Sequence, residues 1–190
     1  SYHHGGGLYL ESVTAVITGS TIAGNKAAGN SGGIRLIGAD LTLANSLIAG
    51  NSASKYGGGI WMSDGSTAQI ENCTITDNTG MDANTPAGGI GVWASVARLK
   101  NTIVWGNATR DTDTGSGGAI LASYCDLGVT LTGTGNINAD PLFVDPANQN
   151  FHLQNSSPCI DAGDPSSPKD PDGTRADIGM RELAGTGRLL

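Results

Sequence analysis

Two sets of residues in this chain are of types that hold ligands. The first is acidic. In the stretch DPSSPKDPDGTRADIG, Asp170, Asp172 and Asp177 lie close together around Gly173. Carboxylates gathered at a glycine bend suit calcium, a hard cation that takes oxygen ligands, although their spacing does not match the EF-hand pattern. Asp82, Asp111 and Asp113 form a further acidic group in two neighbouring loops that also contain Arg110. Brought together they could bind calcium, or with Arg110 form a polar sugar site. The plain alternative for both groups is aspartates that cap polar turns. The second set is aromatic. Tyr9, Trp61 and Trp93 follow glycine-rich motifs in positions expected to point away from the core, where ring faces can stack on sugar rings.

A repeat must position these residues. GGGL (5–8), SGGI (31–34), GGGI (57–60), AGGI (87–90) and GGAI (117–120) recur at offsets of 26, 26, 30 and 30 residues. In step with them Asn25, Asn51, Asn78 and Asn107 close the segments STIAGN, SLIAGN, CTITDN and TIVWGN. A fixed period of this length is the mark of a solenoid. After the glycines Leu8, Ile34, Ile60, Ile90 and Ile120 align, as do Leu10, Leu36, Met62, Val92 and Ala122 two residues on. An apolar period of two means strand. Ile17, Leu43, Ile70 and Leu99 form another column, Ser20, Ser46, Cys73 and Thr102 another, and Ile22, Ile48, Ile75 and Val104 another. The expected fold is therefore all-β: a solenoid of about five coils, stacked in parallel about 4.8 Å apart. Stacked asparagines can bond one coil to the next, so Asn25 to Asn107 read as a ladder and Asn45, Asn72 and Asn101 as a shorter one.

Two connections are longer than the rest: nine residues between Asn78 and Gly88, and ten between Asn107 and Gly118. Insertions on one edge of a solenoid mark its busy face. Residues 1–123 form the coils, and residues 124–190 the last coil, cap and tail of the same domain. Phe143 and Phe151, with Leu142, Leu153 and Ile160, are expected to cover the last coil. The start is short and polar, which leaves Leu8, Leu10, Ile17 and Ile22 in an open coil. Either further coils precede it or it docks on another copy, and heterologous docking that does not close builds a filament.

A net charge of -7 with only 10 Lys and Arg argues against a nucleic-acid partner. The sequence holds no apolar run long enough to span a membrane. Of three cysteines, Cys73 reads as a buried thiol in a small-residue column, while Cys125 and Cys159 could join the last coil to the tail.

The glycine and asparagine repeats, followed by DPLFVDPANQNFHLQNSSPCIDAGDP and DPDGTRADIG, resemble bacterial right-handed parallel β-helix proteins of the pectate-lyase-like superfamily, in particular the choice-of-anchor Q domain group. A weaker likeness is to the repeats of chlamydial polymorphic outer-membrane proteins. The resemblance implies a three-sheet coil and a secreted or cell-surface setting. It implies little about chemistry, because this fold serves enzymes, adhesins and stalks alike. After ADIG the chain reads MRELAGTGRLL instead of the family's aromatic finish, so surface anchoring is an inference about a longer precursor. A lyase needs a base beside acidic groups, and on the coils only Arg110 lies amid acids. The reading is a non-catalytic extracellular or surface module, adhesive or carbohydrate-binding, whose partner is a polysaccharide or surface glycan. The alternatives are a subunit of a self-assembling fibre and the C-terminal part of a polysaccharide lyase.

Overall fold

The computed structural model describes residues 6–81 and 87–180. Its strands run β1 (Leu8–Glu11), β2 (Thr14–Thr18), β3 (Thr21–Ala23), β4 (Lys26–Ala27), β5 (Ile34–Ile37), β6 (Asp40–Ala44), β7 (Leu47–Ala49), β8 (Ser52–Ala53), β9 (Ile60–Ser63), β10 (Thr67–Glu71), β11 (Thr74–Thr76), β12 (Thr79–Gly80), β13 (Ile90–Trp93), β14 (Val96–Lys100), β15 (Ile103–Trp105), β16 (Thr112–Gly115), β17 (Ala119–Ser123) and β18 (Asp126–Leu127). They stack into three parallel five-stranded sheets. Sheet A is β1-β5-β9-β13-β16, sheet B is β2-β6-β10-β14-β17 and sheet C is β3-β7-β11-β15-β18. A narrow fourth ladder, β4-β8-β12, fills the corner between sheets C and A.

The corners into sheets B and C each contain a residue in the left-handed region, which Gly65 and Gly117 join in the third and last coils. Ser12, Gly38, Asp64, Ala94 and Ser116 turn sheet A into sheet B, and Gly19, Asn45, Asn72, Asn101 and Tyr124 turn sheet B into sheet C. Glycine and asparagine take this conformation at least cost, which explains their recurrence. Inside, Ile34, Ile60 and Ile90 stack with no exposed surface, as do Leu36, Met62 and Val92. Leu43, Ile70 and Leu99 line sheet B, and Ile48, Ile75 and Val104 line sheet C.

The asparagine and glycine signals travel together for a steric reason. Asn25, Asn51 and Asn78 each donate Nδ2–H to the Oδ1 of the next asparagine at 2.9 Å. These amides occupy the space where a Cβ on the facing glycine would sit: at Gly59 it would lie 3.2 Å from Asn78 Nδ2. The ladder therefore requires a residue without a side chain opposite each rung. In the shorter ladder only one rung is bonded, Asn101 Nδ2 to Asn72 Oδ1 at 3.1 Å, and the buried Asn45 Oδ1 accepts nothing.

The last coil departs from the expected register. Ile90 pairs with Thr112 and Val92 with Thr114, whereas Ile120 pairs with Ala97 and Ala122 with Leu99. The fifth glycine motif is thus the turn into sheet B, and the ten-residue "insertion" before it contains strand β16. Ser116 is the left-handed corner that fixes this register.

The tail is also placed differently. Leu131, not a phenylalanine, packs against the end of the main core, and Asn136 Nδ2 bonds Ala122 O at 3.1 Å. Strands β19 (Phe143–Asp145) and β20 (Asn150–Leu153) form an antiparallel hairpin, with Phe143 and Phe151 edge to face at 5.4 Å. Phe143 and Leu153 join Cys159, Ile178 and Ala162 against Ile103, Trp105 and Ile137. Ile103 and Trp105 flank the inward Val104, so the tail covers the outer side of sheet C as well as its end. Asp164 N–H donates to Asn101 Oδ1 at 2.7 Å, and Lys100 Nζ lies 3.0 Å from Asp164 Oδ2. Cys73, Cys125 and Cys159 are all free and buried, so the bridge considered for Cys125 and Cys159 is not formed.

Candidate functional site

Along the outer face of sheet A, register places Tyr9, Arg35, Trp61, Gly91 and Asp113 in one column. The expectation that Trp61 is exposed is wrong, since only 4% of it meets solvent. Its ring lies over Gly91, where an added Cβ would come within 2.2 Å of the indole. Tyr56, from the loop between β8 and β9, stacks on it at 4.6 Å. The half-buried Trp93 lies 6.1 Å away and covers Gly115 in the same manner. The tryptophans thus pack on glycines of the following coil and on each other. Tyr9 remains 44% exposed, its hydroxyl donating to Glu11 at 3.0 Å. It stands at the other end of the sheet from Arg110, so the four residues expected to contact sugar do not form one platform.

Arg110 and Asp113 do come together, with Nη1 and Oδ1 3.3 Å apart. They stand at the rim of a cavity of about 460 Å³ between β16, the start of β17 and residues 129–131. Thr112, Thr114 and Thr130 supply hydroxyls to it, and Ile120, Val129 and Leu131 supply apolar surface. In earlier coils the positions of Thr112 and Thr114 hold Ile90 and Val92. The inward columns change from aliphatic to hydroxylated where the tube ends, which makes this end able to receive a polar ligand with an apolar face.

Asp111 has a different task. It takes the place of Gly89 in the preceding coil and closes the asparagine ladder, accepting from Asn107 N–H at 2.8 Å and from Asn107 Nδ2 at 2.7 Å. Burial holds its carboxyl above the usual range, while the Asn107 bonds pull the other way. Asp82 lies outside the described residues. In the tail, Asp170 Oδ2 accepts Asp177 N–H at 2.8 Å, and Asp177 Oδ1 accepts Asp161 N–H at 2.7 Å. Asp172 Oδ1 accepts Thr174 N–H at 3.0 Å. Among the described residues no three His, Cys, Asp or Glu side chains gather as a metal site.

Sequence reasoning missed two buried polar groups. Asp126, fully buried beneath the tail, accepts from Ala139 N–H and from the Cys159 thiol, each at 3.2 Å. Desolvation raises its carboxyl. Arg35 is the other, 6% exposed beside Trp61. The signal for Arg35 was its place in the Tyr9–Trp61 column, which made it outward but could not show what covers it.

The parallel stacking and three-sheet coil define the chain as a β-solenoid protein. Residues 1–138 match the family described as right handed beta helix region, and the chain belongs to that family. No curated protein and no solved structure matches it. Among the described residues no helix is long and apolar enough to cross a membrane.

Proposed function

We propose that the chain is a non-catalytic, extracellular or cell-surface β-helix module that binds a glycan in the cavity at the C-terminal end of sheet A. The observation that carries this reading is the cavity's composition: three threonine hydroxyls, one cation and one carboxylate around Ile120, Val129 and Leu131. Sugars present polar edges and apolar faces, and this lining offers partners for both. The lining holds a single carboxylate, already paired with Arg110, whereas glycosidic hydrolysis by the common route uses two. The secreted or surface setting rests on the tail's likeness to choice-of-anchor Q domain proteins. Glycan-array screening followed by calorimetry tests the reading. Arg110→Ala and Thr114→Val should each weaken the best ligand about tenfold or more, the effect of losing one good polar contact, with Tm unchanged. Binding that survives both substitutions would move the site elsewhere.

A second reading, a self-assembling subunit, is favoured by the first coil. Leu8, Leu10 and Ile17 are only partly buried where their counterparts in the next coil are wholly so. Light scattering at high concentration decides it: polymers abolished by Leu8→Lys support assembly, and a stable monomer removes it.

A further inference from the structure

Arg35 is an outward residue of β5 that has been taken out of solvent. Its Nη2 donates to Ser63 Oγ at 3.0 Å, and that hydroxyl donates on to Asp64 Oδ2 at 2.5 Å. Its Nε and Nη1 are buried and have no acceptor among the described residues. The guanidinium carbon lies 6.0 Å from the centroid of Trp61, on which Tyr56 is also stacked. Among the described residues Arg35 forms no ion pair. Asp64 is exposed and engaged by Ser63; its charge favours the Arg35 cation, but burial outweighs it. A guanidinium N–H without an acceptor in such a place is costly, because burial strips its water and returns nothing. Placed instead against an oxyanion, the same N–H groups would make charge-assisted bonds of the strongest kind found in proteins.

We propose that Arg35 is the core of an oxyanion site on the outer face of sheet A, with Tyr56 as its cover. The ligand class is a carboxylate, phosphate or sulfate group, free or carried on a larger molecule. Tyr56 is only half-buried and comes from the loop between β8 and β9, not from a strand. Tyr56 is near enough to influence the Arg35 charge, and in this proposal its ring turns off Trp61 to admit the anion to Nε and Nη1. Trp61 and Tyr56 then flank the bound group, and Ser63 offers a further polar contact. The site is separate from the cavity at Arg110, so either can fail without the other.

The test titrates acetate, phosphate, sulfate and glucose 6-phosphate into the full chain. It follows the Nε–H resonance of Arg35, assigned by its loss in Arg35→Met, together with tryptophan fluorescence and Tm. A saturable shift of the Nε–H signal is expected, with Tm rising by about 5 °C at a hundredfold excess over Kd. Sulfate and phosphate also stabilise proteins by exclusion from their surfaces, which does not saturate and would appear equally in Arg35→Met. A glucose 6-phosphate response at lower concentration than phosphate identifies an anion borne on a sugar, and equal responses identify the free ion. Tyr56→Ala should speed the approach to saturation. No shift of the Arg35 resonance with any anion, or the same Tm response in Arg35→Met, overturns the proposal.

Discussion

In the first coil the inward residues of sheet A are Leu8 and Leu10, and in the last they are Thr112 and Thr114. The first coil has β1 paired on one side only among the described residues. The last coil has lost its aliphatic side chains in sheet A, carries Leu131 and Asn136 across its end, and is flanked by the tail. Between these coils the columns through Ile60, Met62, Ile70 and Ile75 are filled by Ile, Leu, Val or Met, while those through Ala68 and Cys73 also hold smaller side chains. A solenoid coil is stabilised mainly by its neighbours, so what distinguishes the first and last described coils is which side chains they present to the next position in the stack. The C-terminal end substitutes polar groups and a cover. The N-terminal coil keeps the apolar pattern of the interior.

The largest test of that contrast places one carboxylate at an interior position and at the end. Ile60→Asp puts an unpartnered charge among fully buried neighbours and should cost about 4 kcal/mol or more. Thr114→Asp, at an exposed site at the end of the neighbouring Leu36–Met62–Val92 column, should cost about 0.5 kcal/mol or less. Urea unfolding of the two variants measures both. Equal losses would mean that the last coil is packed like the middle ones.

The asparagine ladder makes the same contrast with smaller numbers. Asn78 Oδ1 accepts both Asn51 N–H and Asn51 Nδ2, and its own Nδ2 bonds Asn107, Ile48 O and Thr76 O. Asn25, half-buried in the first coil, donates to Asn51 through N and Nδ2. Asn78→Ala strands buried partners on both sides and should cost about 3 kcal/mol, against about 1 kcal/mol for Asn25→Ala. Similar costs would show that the rungs act independently of their place in the stack.

At the covered end, stability should depend on pH through two carboxyls of opposite character. Burial raises Asp126, so the fold favours its neutral form. That contribution is complete below the ordinary value of 3.8 and is lost as pH rises through the higher folded value. Bonds from Ser166, then Lys100, hold Asp164 down at about 2, so its contribution is present above its unfolded value and lost as pH falls through about 2. Asp126→Asn keeps an acceptor for the Cys159 thiol and removes the charge. It should therefore match the parent at low pH and exceed it at pH 7. A variant weaker than the parent at pH 7 would show that the Asp126 charge is accommodated.

These tests also separate what the sequence discloses from what it conceals. The aliphatic columns and the Asn25–Asn107 ladder were legible because like residues stack on like at a near-constant period. Strand β16 was not, because Thr112–Gly115 shares neither the glycines nor the isoleucine of its predecessors, while GGAI imitates them one turn too late. Outward position was legible for Trp61, but its burial was not, since that depends on Tyr56, which comes from a loop, and on Gly91, which alone in the column has no side chain. The lateral course of the tail escaped for the same reason: Ile103 with Ile178, or Asp126 with Cys159, are contacts between residues that no period relates. Of the candidate sites, the pairing of Arg110 with Asp113 was legible from their closeness in sequence. The cavity beside them required the register of the last coil.

The smallest expected effect concerns calcium. Asp170, Asp172 and Asp177 were singled out because carboxylates cluster around Gly173, which has a φ of 85° and makes the bend. In the fold each of them turns an oxygen to an amide of its own segment, Asp170 to residue 177, Asp177 to residue 161 and Asp172 to residue 174. A calcium ion needs six or more oxygens converging on one point, whereas these three oxygens point at three different amides. The aspartates hold the tail in shape, and Arg175 Nε, bonded to Gly163 O at 2.5 Å, ties the same loop down. Melting in millimolar calcium and in chelator should agree within about 1 °C, since an ion that does not bind the folded chain cannot stabilise it. A saturable rise in Tm that Asp172→Asn abolishes would return these residues to the status of a metal site. It would also mean that the tail is held by the ion as well as by its contacts with sheet C.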